Sequence, residues 1–352
     1  MPVKINHTIF FRYGREFSVI VIGLFAFTSL ILFIAGAPPF AAYYQILKGS
    51  LGSWVKLAHV IRVWIPLTIC GCGLLYTFQI GLWNIGIEGQ MIMGAIFSTA
   101  ILRFNAAVSM PFLFLGMSFI AGIAGGALWA IIAGFLKTKG GVNEIFAGLG
   151  MNFMAQGIVL WLIFGPWRRP GVASMSGTEP FSRELWLSHL SCIRISPTGL
   201  SFALVAILFT ALILGYTRIG LNLKAIGGNQ NAAYLFGLKP QRFMIFAMVF
   251  AGGFAGLAGN IQVTGVYHRL LPAISSNYGY LALLVVMVAN YNVWIASAIA
   301  FFFACLNVGS IQLPMMLHLD SSLSGVMQGT IVMATLAIYA WRVRAKNIGE
   351  HT

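Results

Sequence analysis

The sequence predicts an all-α polytopic membrane protein of about ten spans, each needing about 20 mostly apolar residues. Three observations carry that prediction. The 352 residues are 59% hydrophobic and only 8% charged, against about 25% charged in a soluble domain. The mean hydropathy is +0.89. Apolar runs of span length alternate with short stretches that hold the Lys and Arg residues. A net charge of +14 would suit nucleic acid in a soluble protein. Set between apolar runs it reads as anchoring to headgroups, so membrane lipid is the expected partner and nucleic acid is not.

The chain reads as one transmembrane domain, 1–352, with tails at 1–17 and 342–352. After Lys4, Arg12 and Arg15, span one covers 18–37 and stops at Pro38-Pro39. It is too long for a signal-peptide core and lacks a small-residue cleavage site, so it reads as a retained span. Segment 40–60 is mixed and lies on the surface. Span two is 60–76 and span three 90–102. Span four, 111–136, is rich in glycine and closes at Lys137 and Lys139. Asn143 then reads as an N-cap with Glu144 in the first turn, where the helix dipole favours negative charge; span five runs to Phe164. The polar loop 165–198 contains FSRELWLSHL (181–190), patterned as a short amphipathic surface helix.

Span six is 200–216, followed by the basic loop 218–242 and by span seven at 243–263. Gly252 and Gly256 fall four apart, as do Ala255 and Gly259, a spacing that lets helix backbones approach closely in lipid. The run 278–289 is short enough to be half-inserted. Spans nine (294–308) and ten (323–341) follow, with Arg342, Arg344 and Lys346 closing the chain. Ten spans put both termini on one side, and the excess of basic residues on the terminal side is small. Cys70, Cys72, Cys192 and Cys305 form no metal or disulfide framework and read as packing residues.

Between spans two and three lies GLWNIGIEGQ (81–90). Its glycines at 81, 86 and 89 weaken a continuous helix by about 1 kcal/mol each relative to Ala. Backbone freed at membrane depth has to be buried in protein or line a polar cavity. Asn84, Glu88 and Gln90 therefore read either as a solvated interfacial loop or as part of a transport pathway. Glu88 is the only acid read as lying at membrane depth. It either braces the broken passage by accepting backbone hydrogen bonds, which is favoured, or carries protons. Other polar groups at membrane depth are Asn152, Gln156, Asn260, Gln262, Asn290, Asn307 and Gln328. Each alone reads as interhelical glue; together they suit a polar, uncharged solute. The Asn84-Ile-Gly86 stretch after span two is echoed by Asn277-Tyr-Gly279 after span seven. That echo fits either an inverted repeat of spans 2–5 and 7–10 or chance likeness between apolar segments.

The loop 218–242 carries a second pattern. Asn229 can cap a two-turn helix QNAAYLF that Gly237 stops, with Pro240 beyond. By itself this is an ordinary capped surface helix.

Four strings in order carry a family resemblance: NIGIEGQMIMGA, GVNEIFAGLGMNFMA (141–155), GLNLKAIGGNQNAAYLFGLKPQR (220–242) and AMVFAGGFAGLAGNIQVTGV (247–266). They resemble the permease subunits of bacterial ABC importers, in the branch of the ribose and branched-chain amino-acid permeases and, within it, the nucleoside type. In that family a G-x-N-x-x-A-A-x-x-x-G segment is the coupling helix that docks on the ATPase subunit. Gly227, Asn229, Ala232, Ala233 and Gly237 fill its fixed positions, and Tyr234, Leu235 and Phe236 would supply buried contact. The resemblance implies ATPase subunits, a second permease subunit (similar but distinct) and an extracytoplasmic solute-binding protein as partners. It also implies a bacterial inner membrane, cytoplasmic termini and a cytoplasmic 218–242 loop, with 165–198 outside. The chain would bind no cofactor, because Gly-Lys, which a phosphate loop needs, never occurs in it; ATP and Mg would sit on the partners. No catalytic set is present, so an enzyme is not expected. The candidate pathway residues are Asn84, Glu88, Gln90, Asn152, Gln156, Asn260, Gln262 and Asn277. The rival reading is a self-sufficient carrier driven by protons or sodium.

Overall fold

The computed structural model describes residues 38–171, 177–188 and 195–311, with a few positions in 26–36 and 329–337. Most of spans one and ten, Cys192, Gln328 and the two tails lie outside the described residues. Among the described residues every regular element is helical. Six helices are long and apolar enough to cross a membrane, and two more are apolar but short.

Two compact units are distinguished. In the described part of the first, residues 39–51 of the mixed segment form an amphipathic helix, α1 (Pro39–Leu51), and from Trp54 the segment already belongs to the next helix. α1 leaves Phe40, Tyr44 and Leu47 exposed and buries Ala42 and Ile46. Gly309 lies against Ile46, where a Cβ would overlap the Ile46 carbonyl.

The second unit, 58–304, holds the helices that position the site. They are α2 (Trp54–Gln79), α3 (Ile87–Leu102), α4 (Pro111–Thr138), α5 (Glu144–Phe164) and α6 (Pro197–Tyr216), then α7 (Arg218–Gly228), α8 (Gln230–Leu235), α9 (Pro240–Ile261), α10 (Tyr278–Val288) and α11 (Val293–Ser310). The last turns of α9 widen into a π-helix over Gln262–Tyr267. α9 with this extension and α2 are about twice as buried as α4 and α6, so they form the centre and the others present apolar side chains outward.

Glycine makes the central packing close. α9 crosses α4 and α3 backbone to backbone: a Cβ on Gly256 would overlap the Gly122 carbonyl, one on Gly126 the Gly252 carbonyl, and one on Gly94 the backbone of Gly256. The four-residue spacing expected to allow close approach is used as such, and the partner glycines stand on α4 and α3.

Two sequence expectations change. Segment 181–190 is not an amphipathic helix: its described residues make a single 3-10 turn at Arg183–Leu185. Its backbone pairs elsewhere, with Phe181 N donating to His268 O and Leu187 N to Thr264 O, while the Trp186 ring stacks on His268 at 3.9 Å. Those cross-chain bonds outcompete a short helix that lacks a side-chain cap. The break near Gly81 is also shorter than expected. Helix resumes at Ile87, so Glu88, Gly89 and Gln90 sit in its first turn rather than in an open loop.

Candidate functional site

Both short apolar helices follow a break. α2 ends at Gln79, Gly81 takes a left-handed φ of 79°, and non-helical chain through Gly86 leads into α3. α9 and its π-turn end at Tyr267, non-helical chain runs through Ser276 and Asn277, both with left-handed φ, and α10 begins. Asn84-Ile-Gly86 precedes α3, whereas only the Asn277 of the echoing Asn277-Tyr-Gly279 precedes α10, whose first turn holds the other two.

The starts of α3 and α10 meet. Gly279 lies on the Glu88 backbone, where a Cβ would come within 2.9 Å of Glu88 N. Glu88 is 4% exposed and its Oε2 accepts from Gly279 N at 2.8 Å. Glu88 thus satisfies one of the first-turn N–H groups that every helix leaves free, that of Gly279 in α10. The backbone N–H that Glu88 accepts belongs to the first turn of α10, not to its own broken passage.

Asn84 and Gln90 bond each other twice, Asn84 Nδ2 donating to Gln90 Oε1 at 3.0 Å and Gln90 Nε2 to Asn84 Oδ1 at 2.9 Å. This closed pair holds the break against the first turn of α3. Asn152 of α5 joins both breaks. Its Oδ1 accepts from Gly89 N at 2.8 Å, and its Nδ2 donates to Ile85 O and Tyr280 OH, each at 2.9 Å. Gln156, one turn on, donates to Pro272 O at 2.8 Å. Gly148 of α5 lies directly on Gly86.

Asn260 belongs to a separate network, donating to Ser98 Oγ and Ser118 Oγ and accepting from Thr264 Oγ1. Gln262 is buried with its Nε2 unpartnered. Asn277 is exposed at the start of α10, and its side chain makes no cap. Asn290 is exposed too, in a left-handed turn after α10. Tyr280, Gly279 and Gly148 complete the site and escape sequence reasoning. The Asn277-Tyr-Gly279 echo was the available signal for one of them, Gly279.

At the end of the spans where α6 gives way to α9, loop 218–242 forms two helices. Thr217 caps α7, its Oγ1 accepting from Gly220 N. Asn229 caps α8, its Oδ1 accepting from Ala232 N at 3.0 Å. Gly237 closes α8 with φ 84°, and Pro240 opens α9. Ala233 is turned inward, whereas Tyr234, Leu235 and Phe236 are 68%, 85% and 88% exposed. An apolar tip so exposed on a short helix calls for a partner. Beside it opens a cleft of about 620 Å³ lined by Lys137, Tyr234, Lys239 and Arg242; Lys137 pairs with Glu144 at 2.6 Å. Gly227 at the end of α7 sits on the Gln79 carbonyl.

Comparison with known proteins identifies the family. A family model described as branched-chain amino acid transport system / permease component matches residues 56–336. The chain is 27% identical over 324 residues to the glucose ABC transporter permease protein TsgB13 of Haloferax volcanii, covering 89% of this chain and 84% of that protein. It is 25% identical over 326 residues to the guanosine ABC transporter permease protein NupP of Bacillus subtilis, covering 92% of each. It is 25% identical over 263 residues to the nucleoside ABC transporter permease protein NupB of Lactococcus lactis, covering 72% of this chain and 71% of that protein. No solved structure matches the chain.

Proposed function

We propose, for a chain that belongs to the branched-chain amino acid transport system / permease component family, the role of membrane-spanning permease subunit in an ABC importer of a nucleoside or related sugar. The observation that carries this reading is the capped α8 helix with its exposed Tyr234-Leu235-Phe236 tip, on a chain similar to glucose and guanosine ABC permeases. The tip supplies large apolar contact to an ATPase subunit, and the basic cleft beside it suits an acidic rim on that partner.

In this reading the loop 218–242 and both termini are cytoplasmic, in a bacterial inner membrane. The chain itself is non-catalytic; ATP and Mg are bound by two ATPase domains. A second, similar permease completes the pathway. On the opposite face, segments 177–188 and 264–270, tied together by backbone bonds, receive the solute-binding protein. Closure of the ATPases on ATP pushes on α8 and rocks the permease halves between inward and outward access.

The solute class follows from the crossing of α3 and α10. Half-helix N-termini at membrane depth serve to hold anionic groups of substrates. Here the Glu88 carboxyl already occupies the α10 terminus, so that terminus is not open to an anionic group of the solute. The same occupancy disfavours the rival carrier, since a carboxyl committed to a backbone amide makes a poor proton shuttle. Deleting residues 229–237 is expected to abolish uptake of labelled guanosine and of glucose alike, with membrane level unchanged by immunoblot. Uptake that survives the deletion would remove the central element of the reading.

A further inference from the structure

The contact between α7 and the break after α2 gives the loop 218–242 a direct route to the polar crossing. A Cβ on Gly227 would overlap the Gln79 carbonyl and come within 3.2 Å of Ile80 Cα. The two segments therefore touch backbone to backbone, with no side chain between them to yield. Gln79 is the last residue of α2, and Gly81 beyond it is left-handed, with φ 79°. Ile80 and Leu82 are buried, so the stretch cannot swing free into solvent. Five residues on from Gln79 stands Asn84, locked to Gln90, and Glu88 follows with its hold on α10. The neighbouring Phe78 ring stacks on Tyr291, in the turn after α10, at 5.5 Å. Gln79 thus lies where the ends of both interrupted elements converge.

We infer that Gly227 is a positioning residue for energy coupling: it seats the coupling loop on the Gln79–Gly81 hinge, so that displacement of the loop moves the broken passage 79–86 directly. This rests on the permease reading above. It adds that the stroke enters the membrane at one backbone contact, rather than through the spans α6 and α9 that flank the loop. Packed interfaces of this kind have discrete arrangements rather than continuous give. A glycine-only contact conveys small shifts that a flexible side chain would absorb.

The test uses the complex purified with its ATPase and reconstituted in proteoliposomes, reading solute accumulated per ATP hydrolysed. Gly227→Ala is expected to lower that ratio by about ten-fold, with the complex still assembled and ATP still hydrolysed. Gly228→Ala, whose new Cβ meets nothing within 4 Å, is expected to match the unaltered complex. A Gly227→Ala complex with the unaltered ratio would overturn the inference. Should that variant fail to assemble, hydrogen exchange on the unaltered complex decides. Protection across 79–86 is expected to change on binding a non-hydrolysable ATP analogue together with that of 218–237. A change confined to 218–237 would overturn the inference. Co-purification separates this inference from the reading beneath it: a chain that brings down no ATPase sinks the permease reading itself, whereas a bound ATPase with an unaltered Gly227→Ala ratio sinks only the inference.

Discussion

Gly256→Leu is expected to leave almost no folded protein in the membrane. Position 256 is where α9, α4 and α3 converge: its missing Cβ leaves room for the Gly122 carbonyl, and Gly94 and Gly126 lie on its own backbone. Overpacking an ordinary core costs about 1–3 kcal/mol because side chains and backbone can shift. Here the obstacle is main chain on two neighbouring helices, so the helices have to separate. Separation also strips the Asn260 bonds to Ser98 and Ser118, which exist only because α9 is that close to α3 and α4. The measurement is monodisperse yield by size exclusion in mild detergent, with Gly253→Leu as the comparison. Gly253 is half-exposed and a Cβ there meets only the tip of the Ile123 side chain at 3.4 Å. The Gly253 variant is expected at near-normal yield. Equal yields from the two variants would show that the glycine crossing does not hold the centre together.

Glu88→Ala is expected to destroy transport, and Glu88→Gln to preserve much of it. Alanine removes the acceptor for Gly279 N and leaves that amide at the α10 start unpaired. Each buried unsatisfied donor costs about 1–3 kcal/mol, and lipid offers no replacement. Uptake should fall at least about ten-fold, since one lost donor of that size already equals about a factor of ten in an equilibrium. Glutamine keeps a carbonyl oxygen for Gly279 N while removing the ionisable group. A carrier that moved protons through position 88 would be as dead with Gln as with Ala. Uptake assays of the two variants across pH therefore distinguish the brace from the shuttle.

Most of the fold was legible because its cause is local. Apolar runs bounded by Pro and basic residues gave the spans, and Asn143 and Asn229 announced helix starts that they do cap, Asn143 Oδ1 accepting from Ile145 N at 2.8 Å. The half-span 278–289 showed itself by length, and α10 ends at Val288. What escaped depends on partners far away in the chain. Glu88 and Gly279 lie 191 positions apart, so the polar composition of 81–90 could suggest a brace without saying what it holds. Asn84 and Gln90 read as pathway residues, yet each consumes the other's amide, a pairing visible only once α3 begins at Ile87. The amphipathic pattern at 181–190 misled because its backbone groups are claimed by Thr264 and His268, which no local periodicity reports.

The central claim is that this chain works as one subunit of an ATP-driven complex, and co-purification tests it most directly. Tagged chain extracted from its native membrane in mild detergent is expected to bring down an ATPase subunit in stoichiometric amount, with a second multi-span protein. Phe236→Asp on the exposed tip is expected to lose the ATPase while retaining the second membrane protein. A clean single species, transporting solute in proteoliposomes without ATP, would contradict the account.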